Sequence, residues 1–164
     1  MIDHFETQVF DFQKDDLPTG HMRSMFDYWL DQKGRAVAPN MLAIDPLKFP
    51  RGALPYLAIM GVERDPLRFF VRLYGTAYRE HVGIDLTGHY TDEYPTLQTQ
   101  IERAKRCVEA HKPYIVSTLG KTTQRDYKRL FVLVLPFVDD LGEVAKLLHV
   151  VEFSSTSEDQ EGLS

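Results

Sequence analysis

Tyr78, His81, Tyr90 and Tyr94 crowd into one stretch of the chain, and each can offer both a ring and a hydrogen bond. Small-molecule pockets are mostly apolar with a few placed polar groups, and this set suits that use. The chemistry it supports is recognition. Arg72 lies just upstream. If its face of a strand meets helices, its guanidinium needs a carboxylate, which a ligand can supply. If that face meets solvent, Arg72 is an ordinary surface arginine. His149 stands in Leu147-Leu148-His149-Val150-Val151, polar among apolar neighbours. It reads either as a sheet histidine with its hydrogen bonds met or as a further ligand-binding residue.

Other chemistries find less to work with. Gly-x-Ser-x-Gly, His-Glu-x-x-His and a Gly-rich phosphate loop are all missing from the sequence, so no catalytic residue is assigned. A metal site needs several His, Cys, Asp or Glu residues converging. His81 and His89 are separated by a glycine bend, and Asp139-Asp140 reads as a turn pair, so no metal is expected. Haem would need an axial histidine, with His81, His89 and His111 as candidates. His111 is explained as a positive charge at a helix end. Cys107 reads as a small half-buried hydrophobe.

The elements that must position these residues can be read from pattern. Met22, Met25, Phe26 and Trp29 follow helical spacing, with Thr19 or Gly20 at the start and Gly34 as the stop. This stripe either packs on its own domain or forms a dimer face. Pro39, Pro46, Pro50 and Pro55 then forbid a long helix and predict an extended crossing segment. Leu57 to Val62 and Arg68 to Tyr74 read as a hairpin turning at Asp65-Pro66. Strict alternation in the second strand puts Phe69, Val71 and Leu73 on the core face and Arg68, Phe70, Arg72 and Tyr74 on the other.

A helical cap runs from Gly75 to about Tyr94, with Thr76 as N-cap and Gly83 as a C-terminal glycine of positive φ. Pro95 opens a longer helix whose inward positions are Leu97, Ile101, Ala104 and Val108, ended by Pro113. Tyr114 to Leu119, Tyr127 to Val138 and Val144 to Phe153 form a meander with turns at Gly120–Arg125 and Asp139–Gly142. The order is that of an α+β domain: a five-stranded antiparallel sheet with the central helices over one face, and an N-terminal amphipathic helix.

The whole chain sets limits. It has 164 residues, 43% hydrophobic and 26% charged, which suits one globular domain over 19–153. Residues 1–18 form an N-terminal segment, and the Ser/Glu/Asp-rich tail 154–164 is expected to be disordered. The net charge of -5 disfavours nucleic acid. No apolar run is long enough for a bilayer, and Met-Ile-Asp-His-Phe-Glu is not expected to be a signal peptide. A single cysteine fits a reducing compartment, and cytoplasmic residence is the expectation.

The sequence Arg72-Leu73-Tyr74-Gly75-Thr76, followed by Gly83-Ile84-Asp85-Leu86-Thr87-Gly88, resembles the strand-to-helix corner and Gly-x-x-Leu-x-Gly cap of PAS domains. Leu135-Pro136-Phe137-Val138-Asp139-Asp140-Leu141-Gly142 resembles the turn before their last strand. Trp29 ahead of the Pro-rich stretch and Ile44-Asp45-Pro46 are similar to small single-PAS proteins found mainly in alphaproteobacteria. The likeness covers about residues 20 to 153. It implies a sensor or interaction module that binds haem, flavin, a small carboxylate or nothing, and that often forms a homodimer. Light-sensing relatives use an Asn-Cys-Arg-type motif after the cap, which Cys107 does not provide. Haem and flavin are therefore both disfavoured, and the cofactor stays unknown.

The expectation is a single-domain regulatory protein that binds a small molecule, a signalling protein partner, or both. Nothing after Phe153 reads as an output domain, so a signal would leave through a surface contact. A ligand-free adaptor is the first alternative. An isomerase-like enzyme with a cone-shaped α+β fold is the second, although such folds lead with long helices.

Overall fold

A computed structural model describes residues 7–121 and 127–155, without the side chains of His81 and of residues 119–121, 127–128 and 154–155. The strands are β1 (Leu57–Glu63), β2 (Arg68–Tyr74), β3 (Tyr114–Lys121), β4 (Tyr127–Val138) and β5 (Val144–Ser155). They form one antiparallel sheet in the order β2-β1-β5-β4-β3. The helices are α1 (His21–Lys33), α2 (Thr76–Val82) and α3 (Gln98–Ala110). The five-stranded α+β architecture and the N-terminal helix agree with the sequence reading. Some boundaries differ: β3 and β5 each run two residues further than their apolar runs suggest, β1 runs one further, and Pro95 opens a 3-10 turn (Pro95–Leu97) ahead of α3. The tail beyond Ser155 and most of the Gly120–Arg125 loop lie outside the described residues.

Both faces of the sheet are covered. On one, α1 places Met22, Met25, Phe26 and Trp29 against Leu133, Leu135, Phe137, Leu148 and Val150. The Trp29 indole N–H donates to the Pro136 carbonyl at 2.9 Å. The proline-rich crossing segment completes this layer, in three short 3-10 turns. Asn40 and Asp45 cap the first two of them by accepting from the Leu42 and Leu47 amides. Glu152 reaches the N-terminus of α1, where Gly20 has no side chain to cap it, and accepts from the Met22 amide at 3.4 Å. On the other face, α2 and α3 cover Val71, Val116, Val134, Leu147 and Val151. Burial on both sides explains why Leu130 to Val138 is an almost unbroken apolar run rather than an alternating one.

The segment before α1 joins the fold. Val9 pairs with Ile115 at the β3 edge, Phe12 lies 5.3 Å from Phe26, and Leu17 is fully buried. Its mixed pattern hides this because only scattered residues face inward. At the opposite edge, β2 is covered by the cap: the Gly88 amide donates to Val71 and the Val71 amide to His89. Edge strands with such cover do not template further pairing along the covered stretch.

The faces of β2 do not follow strict alternation. Ile59 opposes Leu73 and Met60 opposes Val71, so Arg72 is the extra residue of a β-bulge. Phe69 and Val71 keep their places, but Leu73 turns to the α1 layer and Tyr74 turns to the cap layer. The inserted residue reverses the parity that the sequence pattern assumed for both.

Gly75 makes the corner from β2 into α2. It is Gly75, not Thr76, that occupies the cap position, and its amide donates to Leu57 at 2.8 Å. A Cβ there would lie 2.7 Å from the Leu57 carbonyl oxygen and press on that of Pro55. Gly83 closes α2 at φ 86 with open space around it. Gly75→Ala is expected to cost about 1–3 kcal/mol by overpacking, and Gly83→Ala about 1 kcal/mol for its left-handed backbone. Thermal melts of the two variants measure this, and an unchanged melting temperature in Gly75→Ala would remove the backbone contact as the reason for Gly75. Among the described residues, no helix is long and apolar enough to cross a membrane.

Candidate functional site

A cavity of about 250 Å³ lies between the cap and the sheet. Its floor is sheet: Met60 of β1, Phe69 and Tyr74 of β2, Val116 and Thr118 of β3, Leu130 and Val132 of β4, and His149 and Val151 of β5. Its roof is Tyr78 and Val82 of α2, Leu86 and Thr91 of the cap bend, Leu97 just before α3, and Ile101 and Ala104 of α3. Val82 and Gln100 are both exposed, which places the mouth between α2 and α3. An engineered apolar cavity of ~150 Å³ accommodates benzene, so this one has room for a somewhat larger ring compound.

Three wall residues carry polar atoms that are cut off from solvent and have no hydrogen-bond partner: Tyr78 Oη, Thr91 Oγ1 and His149 Nδ1. Such an unmet group costs roughly 1–3 kcal/mol. Ser117 Oγ is unpartnered too, but Ser117 is not on the wall, and no ligand argument attaches to it. Burial pushes the His149 ring down to about 4. The Leu147 backbone opposes this weakly, without a well-formed bond to Nδ1. The ring is enclosed by protein, yet one side of it opens on the cavity; it is neutral at pH 7. Burial also raises the phenols, Tyr74 to about 12, Tyr114 further, and Tyr78 well above its ordinary value. No Asp or Glu lies on the wall among the described residues.

The residues singled out from sequence separate into groups. Tyr78 and His149 are on the wall. The His81 side chain lies outside the described residues. Arg72 is not in the cavity: it is exposed at the bulge, its guanidinium over Gly61 and 5.7 Å from the Phe70 ring. Tyr90 and Tyr94 are also off the wall. Tyr90 joins a brace outside it, donating to Glu63 at 2.9 Å while Arg68 stacks on its ring at 3.7 Å. Arg68 in turn grips Asp92 in a two-pronged pair at 2.7 and 2.9 Å, which holds the Asp92 carboxyl below its usual range. Tyr94 packs at the border of the cap layer, 5.9 Å from the His89 ring. His89 and His111 are both off the wall, and Cys107 is buried with its thiol raised to about 12.

Sequence reasoning missed Tyr74, Thr91 and Tyr114. Tyr74 was hidden by the bulge. Thr91 lies in an irregular stretch where no periodicity assigns a side. Tyr114, in contrast, alternates with Ile115 and Val116 at the start of a strand and could have been placed with Val116. Met22, Met25, Phe26 and Trp29 are buried against the sheet, remote from the cavity.

The match with known families comes from this same region and its frame. Residues 19–152 match the family model described as PAS domain. No curated protein matches the chain.

Proposed function

Because the chain belongs to the PAS domain family, we propose that it is a sensory or regulatory module that holds a small molecule in the cavity beneath its cap. The observation that carries this reading is the set of three unpartnered polar atoms, on Tyr78, Thr91 and His149, around one mostly apolar cavity. Buried polar groups in folded proteins nearly always find partners. A space far larger than the ~30 Å³ share of one water molecule stands beside these. A bound molecule supplies the missing bonds and fills the apolar volume together.

The output follows from position. The cap both roofs the cavity and covers the β2 edge, so a molecule that orders the cap alters the surface around Gly88 to Glu93. A signalling partner that reads this surface completes the function. The isomerase alternative loses support, because no carboxylate lies on the wall among the described residues to act as a base. The adaptor alternative draws on one observation: Val37, Leu42 and Leu47 on the crossing segment and Leu141 on the β4–β5 turn are well exposed, and an Asn40–Asp140 hydrogen bond joins the segment to that turn.

Native mass spectrometry of the purified protein tests the reading. The expected result is a retained small molecule, or a raised melting temperature when a low-molecular-weight cell extract is added. Ala104→Leu, which fills the roof, is expected to abolish either effect. No retained mass and no shift would leave the adaptor as the better account.

A further inference from the structure

We propose that the cavity selects an uncharged molecule with a ring-sized apolar body and one hydroxyl or carbonyl group. This rests on the cavity being a ligand site. The selection follows from what the wall offers and what it withholds. Tyr78 and Thr91 bring hydroxyls with unmet hydrogen bonds, and both residues are more than nine-tenths buried. His149 brings a third unmet atom. A hydroxyl both donates and accepts, and a carbonyl accepts from the two hydroxyls, so either meets these groups.

Charge has no free counterpart among the described wall residues. The three wall phenols are neutral at pH 7, and so is His149, whose ring burial drives toward the uncharged form. No carboxylate is available to a cation among the described wall residues. Among the described residues, Arg103 is the one charged residue on the wall. It lies half-buried on α3 and is already engaged in the protein, acting electrostatically on Tyr114. An anion or cation entering this space would lose its water without gaining a free opposite charge among the described wall residues. A purely apolar molecule would leave the three polar atoms unmet.

Four probes built on one phenylethyl frame separate these cases: 2-phenylethanol, ethylbenzene, phenylacetate and 2-phenylethylammonium. Affinities are measured by ligand-observed NMR at pH 7.5, beside thermal shifts. The expected order puts 2-phenylethanol first, about fivefold tighter than ethylbenzene for one net hydrogen bond. Both ions are expected to bind at least tenfold more weakly than the alcohol. In Tyr78→Phe the alcohol's advantage over ethylbenzene shrinks, while ethylbenzene itself binds as before. Thr91→Val serves the same purpose if Tyr78→Phe fails to fold.

Phenylacetate or the ammonium compound binding as tightly as the alcohol, with Ala104→Leu abolishing that binding, overturns the neutral class and leaves the ligand site standing. An alcohol advantage untouched by both hydroxyl-removing variants also overturns it. Failure of all four probes to bind, or binding unchanged by Ala104→Leu, overturns the site and the class together.

Discussion

Trp29→Ala is expected to destabilise the protein by about 3–5 kcal/mol, the range for removing a large buried aromatic side chain. Trp29 is 2% exposed, stacks on Phe26 at 6.2 Å, and donates its indole N–H to Pro136. The substitution opens a hole between α1 and β4 and leaves that carbonyl without its donor. A domain of this size has roughly 5–15 kcal/mol in total, so the loss is a large share. Each kcal/mol moves the melting temperature by about 2–4 °C at this length, which makes a fall on the order of 10 °C the expected reading. Trp29→Phe should lose about 1–2 kcal/mol, because it keeps a ring in place but not the hydrogen bond. Size-exclusion chromatography accompanies the melts. An unchanged melting temperature with a shifted elution volume would show that the stripe works between copies of the chain instead.

The second large effect is on pH dependence. In the folded protein the His149 ring is held down to about 4, against 6.5 when exposed. Between those values the unfolded chain binds the proton and the folded one does not. Stability from this residue is therefore complete above about pH 6.5 and is lost as the pH falls toward 4. Two and a half units amount to as much as about 3 kcal/mol, less whatever the open side of the ring recovers through water. Asp85, Asp92 and Glu93 are lowered by their hydrogen bonds and also lose stability in acid. Glu152 is raised by burial and acts in the opposite sense. All four remain in His149→Leu, so the difference between wild type and variant isolates the histidine. Urea titrations at pH 7 and pH 4.5 should show the wild type losing at least 1 kcal/mol more than the variant. Parallel pH profiles would mean that the ring is not enclosed.

The frame of this fold was legible because its signals are local and repeated. Helical spacing placed Ile101 and Ala104 inward, and both line the cavity. Glycine and proline marked the corners at Gly75, Gly83 and Asp65-Pro66, and strand positions followed from apolar runs to within two residues at their ends. The site was legible in part. His149 was visible as a polar group among apolar strand neighbours, and Tyr78 as one of the ring-bearing polar residues crowded into the cap stretch. Tyr90 and Tyr94 have the same chemical character, but their side depends on the path of the cap bend, which no periodicity describes. Tyr90 instead spends its hydroxyl on Glu63 and its ring on Arg68. Arg72 and Tyr74 exchanged roles through a single unpaired position. That position leaves its mark in the pairing of two strands, not in the sequence of either one.

The bulge gives position 72 an unusual kind of importance. Its side chain is exposed and outside the cavity, so little in the fold depends on its being arginine. What the strand needs is a residue there at all, because the count from Val71 to Tyr74 decides which of Leu73 and Tyr74 reaches the cavity wall. The site is thus set by spelling at most of its positions and by arithmetic at this one, as a reading frame is kept by the number of letters and not by their identity.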